Sequence, residues 1–367
     1  MSIDTETAQH PPLRGFGVPA HPPTRAPQAP AHTPRHANRR RLLGLLAAIA
    51  ALVVAVILSI LFGSRQLSAD ELWHALTAAT GTSADQVVLD LRVPRTIAGL
   101  VVGVGLGVSG AVVQALTRNP IGDPGVLGVN AGAALFVALG VALFGASVPA
   151  DYLWFAFAGA LVATVLVYLI GSAGRGGADP VRLTLAGVAL AAVFTGLTTG
   201  MTLLDPLTFN KLRGWSAGSF VERGFDVVLP VLPFAVLGVA LALLSAPALN
   251  AMGLGDDLAL SLGTHIIRTR VVSVISITLL AGSATAIAGP IGFVGLMVPH
   301  IARWIVGPDQ RWIIPYSIVL APTVLLVSDV IGRLILWPSE VPVGIVTAFV
   351  GAPVLIYLVR RAKSSTL

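Results

Sequence analysis

Residues 94–116 read PRTIAGLVVGVGLGVSGAVVQAL. After Arg95 the run holds no charged side chain, and its length matches the roughly 20 residues that a helix needs to cross hydrocarbon. Gly103, Gly105, Gly107 and Gly110 recur along it. Small residues let helices approach closely in lipid, so these glycines are read as packing positions rather than hinges. Outward from this segment, comparable runs stand at 42–62, 126–143, 152–171, 183–204, 227–245, 271–288, 292–306, 313–335 and 342–359. The pattern predicts an all-α, polytopic membrane protein with about ten transmembrane helices. The run at 292–306 is short, and Gly289-Pro290-Ile291-Gly292 precedes it. A broken or re-entrant segment is expected there, which lipid tolerates only where protein covers the backbone.

Composition agrees. Of 367 residues, 55% are hydrophobic and 11% charged, against about 25% charged in a soluble protein. Mean hydropathy is +0.86. There is no cysteine, which excludes disulfides, thiolate nucleophiles and thiolate metal sites. The net charge of +6 is scattered between apolar runs and forms no basic stripe, so nucleic acid is not an expected partner. The charge is better read as orientation. Arg39 to Arg41, Arg118, Arg175, Arg182, Arg268, Arg270, Arg303, Arg311, Arg360, Arg361 and Lys363 fall on one side of the expected membrane. A smaller set, Arg65, Arg92, Arg95, Lys211, Arg213, Arg223 and Arg333, falls on the other. That bias predicts both termini in the cytoplasm. Residues 1–38 are rich in proline, carry scattered histidines and lack apolar periodicity, so a disordered cytoplasmic tail is expected. Residues 39–367 form the transmembrane domain. A cleaved signal peptide is not expected, since the first apolar stretch starts near Leu42 and is as long as a full span.

Asn119-Pro120-Ile121-Gly122 after the second run is echoed by Gly289-Pro290-Ile291-Gly292 after the seventh. On the expected topology the two lie on opposite faces, as an inverted repeat would place them.

Several polar residues remain inside the apolar runs. Gln114 is expected to hydrogen-bond a neighbouring helix, and His300, behind Pro299, to make a structural hydrogen bond. Asp329 lies one turn before Arg333 and can pair with it. Between 246 and 270, Asp256 can cap a short helix, Gly263 suits a left-handed stop, and Leu258 and Leu262 at i, i+4 can press into a partner's groove.

An ordered series of motifs resembles a known family. It comprises Leu91-Arg92-Val93-Pro94-Arg95-Thr96, Gly107-Val108-Ser109-Gly110-Ala111-Val112-Val113-Gln114, Arg118-Asn119-Pro120, Pro124 to Val129 and Gly132-Ala133. It continues with Leu185 to Ala189, Gly289 to Leu296, Val298-Pro299-His300-Ile301-Ala302-Arg303, Asp329, Arg333, Glu340 and Pro342 to Ala348. Over residues 42–361 this is similar to the iron–siderophore and vitamin B12 permeases of bacterial type II ABC importers. The resemblance implies their inverted-repeat fold and a multi-pass location in the bacterial plasma (inner) membrane. It implies a second permease subunit, identical or related, two cytoplasmic ABC ATPase subunits and an extracytoplasmic substrate-binding protein. The substrate would be an iron–siderophore, or a cobalamin- or haem-like solute. By the same resemblance Arg92, Arg95 and Arg333 dock the binding protein. The loop carrying Gly255, Asp256, Asp257, Leu258, Leu262 and Gly263 couples to the ATPase. The fifth and tenth spans line the pathway, with Thr184, Gly187, Thr195, Thr198, Gly344 and Thr347 the small and polar groups available there.

No cofactor is expected, because ATP is bound by the partner: this chain lacks a Gly-x-x-x-x-Gly-Lys-Ser/Thr phosphate loop. Two other classes of function remain open to the residues. An ion-coupled secondary transporter would want paired mid-membrane acids, and only Asp329 comes close. An intramembrane enzyme would want a Ser/His pair in reach; Ser109 and His300 are far apart in sequence, and no enzyme activity is expected.

Overall fold

The computed structural model describes residues 34–63, 65, 67–173 and 180–363, all of them helix or connecting loop with no strand. The chain divides into Met1–Arg40 and Arg41–Leu367. The ten principal helices are α1 (Pro34–Leu61), α2 (Val93–Thr117), α3 (Val129–Phe144), α4 (Pro149–Ser172), α5 (Pro180–Leu204), α6 (Leu232–Gly253), α7 (Ile266–Ala288), α8 (Val294–Val306), α9 (Gln310–Ile335) and α10 (Val343–Lys363).

Seven helices, namely α1, α2, α4 to α7 and α9, are long and apolar enough to cross a bilayer. Helices α3, α8 and the described apolar part of α10, Val343–Tyr357, are shorter. The expected rods are therefore present, but their ends move. Helix α1 already begins at Pro34, inside the stretch expected to be disordered. Proline fits the first helical turn, where its missing N–H is not needed. Residues 1–33, the remainder of that expected tail, lie outside the described residues, as does Arg175. The sixth rod starts at Leu232 rather than 227 and runs through Pro247 to Gly253. Short helices at Ala69–Thr77 and Pro206–Ser216 were not expected, although each carries a start signal. Ser68 and Glu71 form a capping box, and Asp205 caps Leu207 and Thr208 just before Pro206.

Helices α2 and α7 form the centre: 78% of the apolar window of each is buried, against 11% in α1 and 28% in α5. Helix α2 packs against α6, α7, α8 and α9. Its glycines explain how. Gly103 and Gly107 abut α9, Gly105 abuts the Leu280 carbonyl of α7, and at Gly110 a Cβ would collide with the backbone of Gly295 in α8. With lipid tails as apolar as leucine, such backbone-to-backbone approach is a main source of helix association. The packing reading of these glycines holds.

Helix α7 stops at Ala288, and α8 starts only at Val294. Gly289 and Phe293 take positive φ of 75° and 68° between them. The break is covered by protein: Ser219 N–H donates to Ala288 O at 2.8 Å, and the Gly289 backbone lies against Trp215. The expected interruption is thus present and shielded, as irregular backbone at membrane depth requires. Arg118, at the end of α2, reaches Asp256, just before α7 begins. Helices α2 and α7 therefore run antiparallel, and the two Pro-Ile-Gly echoes sit at opposite ends of the bundle.

Candidate functional site

Three places hold the residues that the sequence singled out: the arginine-rich end of the bundle, the exposed faces of α5 and α10, and the opposite end at Asp256.

At the first, Arg92 donates from Nη1 to Ile60 O and Leu61 O, both at 2.7 Å, and from Nη2 to Arg65 O. Arg333 donates from Nη1 to Ser59 O and Phe62 O, both at 2.8 Å. The last carbonyls of a helix lack intrahelical donors. These two guanidiniums supply them for α1, where a cation also suits the negative end of the helix dipole. Arg95 holds Asp329 bidentately, at 3.1 Å from Nε and 2.7 Å from Nη2, and reaches Glu340 at 2.6 Å. Arg333 binds the same Asp329 carboxylate, with Nε to Oδ2 at 3.0 Å.

Arg92, Arg95 and Arg333, to which the resemblance assigns docking of a binding protein, are all held by internal partners. Arg92 is 4% exposed and Arg333 2%, and both are committed to internal hydrogen bonds. Arg95 retains partial exposure. All three border a cavity of about 510 Å³ that also takes in Arg65, Asp90, Glu222, Arg223 and Glu340. Burial pulls the Arg223 guanidinium below its usual range, while the neighbouring Glu222 charge works the other way. Asp329, claimed by two arginines, is paired as expected and further satisfied by a residue from a distant helix.

The expected pathway residues divide. Thr195 is exposed and Thr184 half-buried. Thr198 is buried and donates to Phe194 O at 2.8 Å. Thr347 is buried and donates to Gly344 O at 3.0 Å. A Cβ on Gly187 would strike the Val126 carbonyl, and one on Gly344 the Ala217 carbonyl. Within the single chain these four pack closely against neighbouring backbone. What α5 presents outward is Val181, Leu185, Val188, Val193 and Leu197, with Gly196 and Gly200 meeting nothing within 4 Å. Helix α10 presents Ile345, Phe349 and Ile356.

At the opposite end lies the short helix Asp256–Ser261. Gly255, at φ 110°, stands at its N-cap and no side chain caps it, so Asp256 is not the cap that the sequence suggested. Asp256 instead receives the guanidiniums of Arg118 and of Arg270, the latter at 2.8 Å. Arg118 also donates to Met252 O at 2.9 Å. Gly263 is the expected left-handed stop, at φ 78°. Gly263 N–H reaches Leu260 O and Thr264 N–H reaches Ala259 O, both at 2.9 Å, which is a Schellman closure. Leu258, Leu260 and Leu262 are more than half exposed and Asp257 is exposed, while Ala259 faces inward. The helix is pinned at its start and offers an apolar face outward.

The remaining polar residues resolve by hydrogen-bond accounting. Pro299 has no N–H to give to Gly295 O, its i−4 carbonyl. Gln114 Nε2 supplies that donor at 3.2 Å and also reaches Leu296 O at 3.1 Å, while its Oε1 accepts from Arg303 at 3.2 Å. The expected cross-helix role of Gln114 holds. His300 does not make its expected structural hydrogen bond: neither ring nitrogen has a partner, and its ring meets Trp304 edge-on at 5.6 Å. Ser109 Oγ donates to Gly105 O at 2.6 Å and to Leu106 O at 3.1 Å, both within its own helix.

Known proteins share this architecture. The sequence profile of the FecCD transport family matches residues 51–361. The ferric enterobactin transport system permease protein FepD of Escherichia coli (strain K12) is 51% identical over 310 residues, covering 84% of this chain and 92% of that protein. The probable siderophore transport system permease protein YfiZ of Bacillus subtilis (strain 168) is 38% identical, covering 86% of this chain and 95% of that one. A solved metal-chelate type ABC transporter in an inward-facing conformation superposes with a TM-score of 0.76 at 26% identity, covering 88% of this chain and 99% of its own. With the profile spanning most of its length and one relative at 51% identity, the chain belongs to the FecCD transport family.

Proposed function

We propose that this chain is the permease subunit of an ATP-binding cassette importer for a ferric siderophore. It works as half of a permease dimer in the bacterial plasma membrane, with both termini in the cytoplasm. ATPase subunits engage the Asp256 end, and a substrate-binding protein engages the Arg95 end. The observation that carries the reading is the 51% identity to a ferric enterobactin permease across nearly all of both chains.

The geometry supports each part. The leucines of Asp256–Ser261 offer a small, rigid apolar knob of the kind that seats in a partner's groove. Because Arg118 and Arg270 tie that helix to α2 and α7, a push on the knob reaches the two central helices directly. The outward face of α5 carries Gly196 and Gly200 in a small-xxx-small spacing suited to a second subunit. A passage between two such faces would be lined mainly by apolar and hydroxyl groups, which hold a large chelate weakly enough to release it. At the other end, Arg65, exposed on the cavity that Arg95 also lines, supplies the positive charge that would steer an acidic lobe of a binding protein. Asp329 lies between two guanidiniums and so has no free carboxylate to carry protons, which disfavours ion-coupled transport.

The test is uptake of radioiron in a strain lacking the gene, supplied as catecholate, hydroxamate and citrate chelates, alongside labelled cobalamin. Restored uptake of a ferric chelate, dependent on the ATPase subunit and insensitive to collapse of the proton gradient, is expected. Uptake that persists without the ATPase, or restoration of cobalamin alone, refutes the proposal.

A further inference from the structure

A second cavity, of about 840 Å³, opens at the Asp256 end between α1, α2, α6, α8 and the start of α9. Three guanidiniums line it: Arg41, Arg118 and Arg303. Arg118 is neutralised by Asp256. The other two have no carboxylate among the described residues. Arg303 donates only to the neutral amide of Gln114, and Arg41 lies 6.0 Å from the centre of the Trp312 ring. The one carboxylate on the cavity wall, Asp309, is already engaged by Asn250 Nδ2 at 2.6 Å and by Arg311 N–H at 3.0 Å. The buried Gln310 Oε1, also on the wall, has no partner.

Two unpaired cations in an interfacial cavity call for an anion, and guanidinium geometry matches phosphate oxygens. The surroundings indicate where that anion comes from. Arg41 opens the apolar run of α1, the least buried of the spans, and Leu42, Leu43 and Leu46 beside it are about half exposed. An acyl chain can lie along those leucines while its headgroup enters the cavity. Arg41 is anchored for this role, because Tyr316 donates its hydroxyl to Arg41 O at 2.6 Å. We propose that this cavity is a binding site for the phosphate headgroup of an anionic phospholipid. The occupant would brace α1 against α8 and α9 next to the helix Asp256–Ser261.

The test uses the full chain purified with the subunits it assembles with. Native mass spectrometry after detergent exchange should find phosphatidylglycerol retained about thirty-fold over phosphatidylcholine, as two basic side chains near a surface would give. Replacing both Arg41→Gln and Arg303→Gln should remove that preference, and Arg268→Gln, an exposed charge outside the cavity, should keep it. On the unmutated protein, added phosphatidylglycerol should raise the melting temperature, whereas phosphatidylcholine and inorganic phosphate should not. Equal retention of the two lipids, an unchanged preference in the double variant, or equal protection by inorganic phosphate overturns the proposal. The last outcome would assign the cavity to a free anion.

Discussion

Asp329 has a guanidinium on each side, and both came into reach by different routes. Arg333 stands at i+4 on the same helix, a spacing visible in the sequence. Arg95 lies 234 positions away, and nothing local announces it. A buried carboxylate so held is costly to disturb, because its loss leaves the buried Arg333 without a counter-charge and Arg95 with Glu340 alone. Asp329→Leu should therefore lower the stability of the detergent-solubilised protein by about 3–5 kcal/mol, measured by thermal unfolding. Glu340→Gln, which touches only the more exposed Arg95, should cost less. A similar loss from both would mean that Arg95 and Arg333 do not depend on Asp329. Gln114 and His300 illustrate the opposite outcomes of residue-level reasoning. The orphan carbonyl made by Pro299 could be counted from the sequence, but which side chain fills it depended on α2 lying across α8.

Among the elements, the six-residue helix at Asp256–Ser261 is the one whose sequence reading can be checked most closely. Its stop signal was legible because a Schellman closure needs a left-handed residue, and Gly263 provides one. Its start differs from the expectation, because Asp256 is drawn to Arg270, 14 positions on, and to Arg118, 138 positions back. A β-branched residue at φ 78° is strained by roughly 1–2 kcal/mol. Gly263→Val should tilt or fray the leucine face while the central bundle stays intact. ATPase activity of the assembled transporter should persist, while substrate uptake per ATP hydrolysed should drop several-fold. Normal coupling in that variant would remove the helix from the transmission path. The outer helix Pro206–Ser216 offers a pH test at the same scale. The Thr208 hydroxyl, followed by the Thr208 and Leu207 amides, holds the Asp205 carboxyl below its usual range. A depressed carboxylate contributes stability above its unfolded pKa and loses it as pH falls through the folded one. The cap should therefore weaken only on acidification, and Asp205→Asn should abolish that acid-sensitive component in circular dichroism while leaving the neutral-pH spectrum unchanged.

For the molecule as a whole, the exposed side of α5 is the feature a single chain leaves unfinished. The chain contains no cysteine, so single cysteines report without background. Thr195→Cys or Gly200→Cys should form disulfide-linked dimers in membranes under mild oxidation, whereas Thr198→Cys, which points into the bundle, should not. Dimers from Thr198→Cys, or none from the α5 surface positions, would place the partner elsewhere.

Length and hydrophobicity determined by themselves that this chain is a bundle of apolar helices in a bilayer. The glycine run of α2 marked its central rod, and Gly-Pro-Ile-Gly marked the break before α8. These features are local: they follow from the thickness of hydrocarbon, the missing Cβ of glycine and the missing N–H of proline. Only the tertiary structure decided the roles of the arginines, the inward turn of Thr198 and Thr347, and the cavity bounded by Arg41 and Arg303. The reason is that a charge in a membrane protein is governed by its partners, and those of Arg95 come from more than 200 positions away. A sequence states which side chains need compensation, and packing alone determines which groups supply it.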